Sequence, residues 1–309
     1  MMPTSIYPEK IQAKMFLALS VFVVVTLPLA VKLNSMAIIL LTANWLLEDD
    51  WRGKWNRLKI NVPALLLITL YVYHIVALLY TSNYRQGNFE LEKKIAFLAF
   101  PLIYGTSRFL TSKAVTKILF WFIGSCLFAA VFCLVNATYY YLQGDPSYFF
   151  YHKLSLESPL ELHAVYFSLY IAICVFILLY YLKLNWSELS TARKLSISFL
   201  ISFFIIFIIL LSSKTIIFFF FLVMIAIVGR EILKRKGILW SSVSLLGGII
   251  FFILVVVFVP NVRERFDEVL FDKYEQTNVL LLDDYAQYHF TGANVRLAIW
   301  KILVGEVGR

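Results

Sequence analysis

Charged residues are scarce in this chain. Only 15% of its 309 residues are Asp, Glu, Lys or Arg, where a soluble globular domain carries about 25%. Together with 61% apolar residues and a mean hydropathy of +0.80, that shortage excludes an ordinary water-soluble fold. Cysteine is almost missing. Cys126, Cys133 and Cys174 each lie inside an apolar run and none stands in CxxC spacing, which excludes a disulfide framework and a zinc site and reads them as small buried hydrophobes. Histidines number four, and neither an HExxH nor a DxD pattern occurs, so no metal and no other cofactor is expected. Walker and GxGxxG loops are lacking as well, which argues against coupling to a nucleotide. Acidic residues fall short of basic ones, 19 against 28, leaving a net charge of +9. No basic run is interleaved with aromatics outside the apolar segments, so no nucleic acid is expected as partner. The excess instead fits the Lys and Arg bias of cytoplasmic loops in membrane proteins.

What the chain does have is long continuous apolar runs. Alternating segments of about ten residues, the mark of a membrane barrel, do not occur, so the fold class is all-α: a polytopic membrane helical bundle. A span needs about 20 apolar residues. Met15–Leu47 is too long for one helix and is punctuated by Lys32, Asn34 and Ser35, which predicts a tight helical hairpin. Further spans are predicted at Val62–Tyr80, a Pro101-containing run at Ile95–Thr106, Ile118–Leu142, His163–Leu182, Leu195–Leu211, Thr215–Gly229 and Ile238–Val259. That makes nine. The Pro101 segment spans only if Leu91–Lys94 and Ser107–Leu110 extend it. The first run lacks a small-residue cleavage site and is followed at once by another, so it reads as a span and not as a removed signal peptide. Residues 1–259 are thus expected to form the bundle, and 260–309 an extracytoplasmic loop with an amphipathic helix at Asn294–Val307.

Loop charges support this count. With the N-terminus in the cytoplasm, sixteen Lys and Arg fall on inner loops and six on the short outer ones, as the positive-inside bias requires. Removing the Pro101 span would invert every later loop and place "GREILKRKG" outside. The polar runs around Asp49–Asp50 and Asp283–Asp284 read as solvated loops. Multi-pass insertion in a membrane is therefore expected, with membrane lipids as the surroundings.

Against that background "LLSSKTIIFFFF" at Leu210–Phe221 stands out. A lysine at the centre of a bilayer costs about 2.5–3.5 kcal/mol, and the acidic residues that might offset Lys214 are absent from both flanking runs. The predicted helices on either side, with 17 and 15 residues, reach only about 22–26 Å, short of a ~30 Å core. The Ser212–Lys214 turn is therefore expected on the outer side, dipping below the headgroups. Lys214 then reads either as a snorkelling helix end or as a cation awaiting an anion. Arg296, one turn before Trp300, is a second outer cation, and Arg85 a lesser third. Among the histidines, His74 lies mid-span and is expected to be hydrogen-bonded within the bundle, and His152 sits in an aromatic outer loop. His163 opens a span beside Glu161 and is the best candidate for an ionisable catalytic group.

In order along the chain, "LEKKIAFLAFPLI" (Leu91–Ile103), "ELHAVYFSLYIA" (Glu161–Ala172), "LLSSKTIIFFF", a basic loop, a further span, "RERF" and "NVRLAIWK" (Asn294–Lys301) resemble the O-antigen ligase/polymerase-type membrane glycosyltransferase family. The resemblance implies transfer of a glycan from a polyprenyl-diphosphate carrier to a hydroxyl of a lipid or glycan acceptor, on the outer face of the inner membrane. Such a transfer needs a cationic cradle for the leaving diphosphate, for which Lys214 and Arg296 are the outer-side candidates and Arg85 a weaker third. The family usually has an arginine where Lys214 stands, and its members continue past the Arg296–Trp300 helix into more outer loop, with a histidine thought to act as base, and into further spans. The chain is therefore expected to be truncated relative to the family, and His289, which precedes Arg296, does not take that role. The alternatives are a polysaccharide polymerase of the same family, or a transporter or flippase for lipid-linked sugars. A transporter would be expected to show internal repeats and charged or broken helices at the midplane, which this sequence lacks.

Overall fold

The computed structural model describes residues 8–145, 156–259, 262–263 and 300. Its helices are α1 (Glu9–Thr26), α2 (Val31–Leu46), α3 (Trp51–Ile60), α4 (Val62–Ala77), α5 (Tyr84–Lys94), α6 (Ala96–Thr106), α7 (Ser112–Leu142), α8 (Ala164–Leu184), α9 (Thr191–Leu210), α10 (Lys214–Lys236) and α11 (Ile238–Phe258). No strand occurs among the described residues. The protein is an all-α, multi-pass membrane bundle.

Among the described residues, six helical segments are long and apolar enough to cross a bilayer: Val62–Tyr80, Ser112–Leu142, Ala164–Leu184, Thr191–Leu210, Lys214–Lys236 and Ile238–Phe258. Their large exposed side chains, among them Leu66, Phe128, Phe199 and Leu246, are what lipid-facing surfaces require. The three remaining predicted spans fall short by length or composition. The apolar α2 has 16 residues, α1 opens with Glu9, Lys10 and Lys14, and α6 has 11 residues, about 17 Å of rise. The hoped-for extension of α6 fails at its C-terminal side, where Ser107 adopts an extended backbone.

The chain divides into two compact units, with the boundary inside α7 between Val135 and Asn136; Pro159–Leu162 belong to the first unit and His163 onward to the second. In unit 1 the α1–α2 hairpin turns at Leu27–Ala30, not at Lys32–Ser35, which lie within α2. The polar residues there do a different job. Asn34 donates its amide to Val23 O at 2.6 Å and to Thr26 Oγ1 at 3.1 Å, so it ties α2 to the last turn of α1, where Val23 O also accepts from Leu27 N at 3.1 Å. Phe16, Val23, Ala37, Leu41, Trp45 and Ile103 form the core of this unit, covered by Tyr104 and Phe109. The Phe16 ring meets those two at 5.9 and 6.2 Å.

In unit 2, α8 is the central helix, packed against both α9 and α10. Its buried residues run from Phe167 through Ile171, Cys174 and Leu178 to Leu182, the 3–4 spacing of a helix face. Phe167 near the start of α8 meets Phe207 near the end of α9 at 5.4 Å, so these two helices are antiparallel. Lys183 near the end of α8 bonds Glu231 near the end of α10 at 2.5 Å, so α8 and α10 are parallel. α11 packs on α10 through Phe221 against Phe251 and Phe252, with Ser241 Oγ donating to Gly229 O at 3.0 Å.

The α10–α11 turn rests on Gly237, at φ 84° and ψ −177°. That region is essentially confined to glycine and costs any other residue about 1–3 kcal/mol. Gly237→Ala is accordingly expected to lower stability by about that amount, read as a fall in thermal midpoint in detergent, whereas Gly124→Ala, inside α7 where a Cβ meets nothing within 4 Å, does not lower it and gains about 0.5–1 kcal/mol in helix propensity.

Candidate functional site

The Ser212–Ser213–Lys214 turn carries three locally unfavourable features in a row. Ser212 has φ +51°, a left-handed backbone that costs a non-glycine residue about 1–2 kcal/mol. Its side chain is buried, and Oγ donates back to Ile209 O at 3.2 Å or Leu210 O at 3.3 Å. Ser213 occupies the N-cap of α10 but makes no side-chain cap hydrogen bond, and its buried Oγ has no hydrogen-bond partner. Serine is among the residues preferred at that position because its oxygen accepts from the first turn; here it does not. Lys214 is then the first residue of α10, half-buried, with its positive charge at the positive end of the helix dipole. An anion at the turn would meet the unpaired first-turn N–H groups, the dipole and the ammonium together.

The flanking helices differ from expectation in length. α9 has 20 residues and α10 has 23, about 30 and 35 Å. Shortness therefore does not draw the turn below the headgroups. The gain comes at the opposite ends, where Thr191–Lys194 and Arg230–Lys236 are helical.

His163 lies at the same end of unit 2 as this turn, because it precedes α8, which runs parallel to α10. It is the N-cap of α8, exposed, and its Nδ1 accepts from Val165 N at 3.2 Å. With Nδ1 engaged as acceptor, the neutral ring carries its hydrogen on Nε2 and presents a donor outward. Service as a general base would require the ring to release the cap. The geometry thus gives His163 a structural task, stacked edge-on against Tyr166 at 6.1 Å. Glu161, two residues earlier, is the second non-glycine residue with positive φ among those described, at 52°. Arg85 is exposed in the first turn of α5 in unit 1, beside a shallow recess of about 480 Å³ shared with Asn83, Gln86, Phe89 and Glu92. Arg296, His152, His289 and Asp283–Asp284 lie outside the described residues. His74 bonds its own helix, donating Nδ1–H to Leu70 O at 2.8 Å, and so needs no partner from elsewhere in the bundle.

Sequence reasoning missed a second polar cluster, in unit 1. Asp50, a partly exposed residue before α3, does more than meet solvent: it N-caps α3 through Gly53 N at 3.1 Å and pairs with Arg57 at 3.0 Å. A Cβ on Gly53 would lie 2.2 Å from that carboxylate, so any other residue there would displace the Asp50 side chain from its present position. Lys54, counted as an inner-loop cation, is 3% exposed. Its Nζ donates to Trp45 O at 2.5 Å and Glu48 O at 2.7 Å, carbonyls at and just beyond the C-terminal end of α2, and stands 4.6 and 4.4 Å from the rings of Trp45 and Trp51. Glu48, 2% exposed, faces Lys54 at 3.8 Å and Arg108 at 3.5 Å. Arg57 Nε donates to Thr106 O, and Asn61 Nδ2 to Gly105 O at 3.2 Å, which caps α6. Lys54, Arg57 and Asn61 are spaced i, i+3, i+7, so one face of α3 and its cap closes the ends of two helices.

Burial pushes the Glu48 carboxyl up, against the opposing pull of Lys54, Arg108 and Arg57. Burial likewise pushes the Lys54 ammonium down, against Glu48. For both, desolvation outweighs attraction. The donors of this cluster point at helix ends, so it is a structural clasp. The signal for it in the sequence was the Asp50-x-x-Gly53 cap followed by Lys54, Arg57 and Asn61 on one face.

No protein-family model, curated protein or solved structure matches the chain.

Proposed function

We propose that the protein is a membrane glycosyltransferase of the O-antigen ligase type, acting in surface polysaccharide assembly. It takes a glycan from a polyprenyl-diphosphate carrier and passes it to a hydroxyl of a lipid or glycan acceptor at the outer face of the bacterial inner membrane. The observation that carries this reading is the Ser212–Lys214 turn, where a strained serine, an uncapped serine and a helix-opening lysine together favour an anion. Transfer from a lipid diphosphate needs such a cradle for the leaving group, because the charge that develops there must be stabilised in a site of low dielectric. In this reading Lys214 meets one phosphate from the α10 N-terminus, Arg296 of the tail meets the other, and the Phe-rich helices of unit 2 accommodate the polyprenyl chain. In this reading the α9–α10 turn lies outside and Arg230–Lys236 on the cytoplasmic side, as the positive-inside bias favours.

The experiment is equilibrium binding of polyprenyl diphosphate to the purified full chain, beside the same polyprenol without phosphate. The diphosphate is expected to bind at least tenfold tighter, the value of one charge-assisted contact of about 1.5 kcal/mol. Equal binding of the alcohol would mean that only the chain is recognised, and the reading fails.

A further inference from the structure

At the opposite end of unit 2 from the Ser212–Lys214 turn, α8 and α10 enclose a groove of about 490 Å³, within the ~300–1,000 Å³ range of small-ligand sites. Its walls are apolar and its rim is charged. On α8 the stripe runs Phe176, Leu179, Tyr180, Lys183, and on α10 Val223, Ile227, Arg230, Glu231, Lys234. Each follows the 3–4 spacing of a single helix face, passing from apolar side chains to cations toward the helix C-terminus. Phe176 packs against Phe220 at 5.6 Å below the groove. Across the rim, Lys183 bonds Glu231 at 2.5 Å, which tethers the two helices and neutralises one cation. Arg230 and Lys234, one turn apart and both exposed, are left as a net charge of two above an apolar slot.

We infer that this groove holds an anionic glycerophospholipid, with its phosphate between Arg230 and Lys234 and an acyl chain along Phe176, Tyr180, Val223 and Ile227. Charge and shape both select that occupant. The rim carries two cations in excess of its one carboxylate, and the slot opens toward the surface where the exposed apolar residues of α8 and α10 meet lipid. Basic pockets between membrane helices recognise anionic headgroups in this manner, each cation contributing about 1 kcal/mol. A zwitterionic phospholipid offers no net charge to the rim, and a free phosphate leaves the apolar walls uncovered. The site is independent of the turn at Lys214, which lies at the other end of α10.

The test counts lipid retained by the delipidated full chain in native mass spectrometry, after incubation with detergent micelles containing phosphatidylglycerol or phosphatidylcholine of the same acyl chains. The parent is expected to retain phosphatidylglycerol in preference. Arg230→Gln with Lys234→Gln should lower that retention roughly thirtyfold, two cations at the stated value, and leave phosphatidylcholine unchanged. Glu231→Gln should act in the opposite direction, since it releases Lys183 to the phosphate, and this gain guards against a loss caused by misfolding. Lys214→Ala should have no effect. The inference is overturned if the parent retains both lipids equally, if the double variant retains phosphatidylglycerol as the parent does, or if millimolar inorganic phosphate displaces the lipid.

Discussion

Lys54→Ala is expected to lower stability by about 3–5 kcal/mol, the cost of removing one partner from a buried ion pair. Three consequences act together. The Trp45 and Glu48 carbonyls lose the donor that holds them at 2.5 and 2.7 Å, Glu48 at 2% exposure loses its nearest buried cation, and the Trp45 and Trp51 rings lose the charge between them. Arg108 stays at 3.5 Å from Glu48, but it also reaches toward Glu9 and is itself more than a third exposed, so it compensates poorly. Lys54→Met combined with Glu48→Gln is expected to recover most of the loss, because it removes both desolvated charges and leaves a side chain of similar length between the tryptophans. Thermal unfolding of the purified variants in one detergent checks the order: parent, then double variant, then Lys54→Ala. If Lys54→Ala unfolds with the parent, the clasp does not hold α2, α3 and α6 together.

The same cluster sets a pH response. Glu48 is shifted up from 4.5 by burial, so the folded state binds its proton more tightly than the unfolded state does. Its contribution to stability therefore rises as pH falls through the raised folded value toward 4.5, and is lost as pH rises through that window. Glu90 behaves oppositely. Its hydrogen bonds and ion pairs to Lys94 and Lys93 hold it down at about 2, so its contribution is present above 4.5 and disappears as pH falls from there toward 2. From neutral pH to about 5 the parent is expected to gain thermal stability relative to Glu48→Gln, which carries no titrating group at that position. A gap between the two that stays constant with pH would show that Glu48 is not desolvated.

The part of this architecture that a reader of the sequence can find is the part made by continuous apolar runs. α8 to α11 are such runs, bounded by Lys183, Arg193, Lys194 and the Arg230–Gly237 stretch, and lipid leaves a helix as the simplest backbone solution. Unit 1 is harder, because its polar residues act across the chain and not beside their neighbours. Asn34 reads as a turn residue, yet it sits inside α2 and bonds the last turn of α1. Lys54 and Arg57 read as loop cations, yet they cap α2 and α6. The Pro101 run reads as a span once extended at both ends, yet the helix around it is only 11 residues long. The Ser212–Lys214 turn was legible from composition, but its backbone strain and its uncapped serine belong to φ angles and hydrogen bonds that composition does not encode. Arg296, its expected partner, lies outside the described residues.

Lys214→Ala is expected to weaken binding of polyprenyl diphosphate by roughly tenfold to a hundredfold, the loss of one charge-assisted contact worth about 1.5–3 kcal/mol. The helix itself should survive the change. A cation at the first position of α10 opposes the helix dipole by about 0.3–1 kcal/mol, and a half-buried lysine at a helix start removes little packed core, so unliganded stability is expected to stay within that range. Lys214→Arg keeps the charge and adds a bidentate fork that suits phosphate oxygens, and should bind as tightly as the parent or more so. Ser212→Gly separates strain from chemistry. It relieves the φ of +51° while leaving Lys214 and Ser213 in place, and is expected to preserve binding within a few-fold. The decisive comparison is between Lys214→Ala and Arg230→Gln with Lys234→Gln on the same ligand: the first should lose the diphosphate and the second retain it. If Lys214→Ala binds polyprenyl diphosphate as the parent does, the lysine is a snorkelling helix end and the strained turn serves the fold of α10 alone.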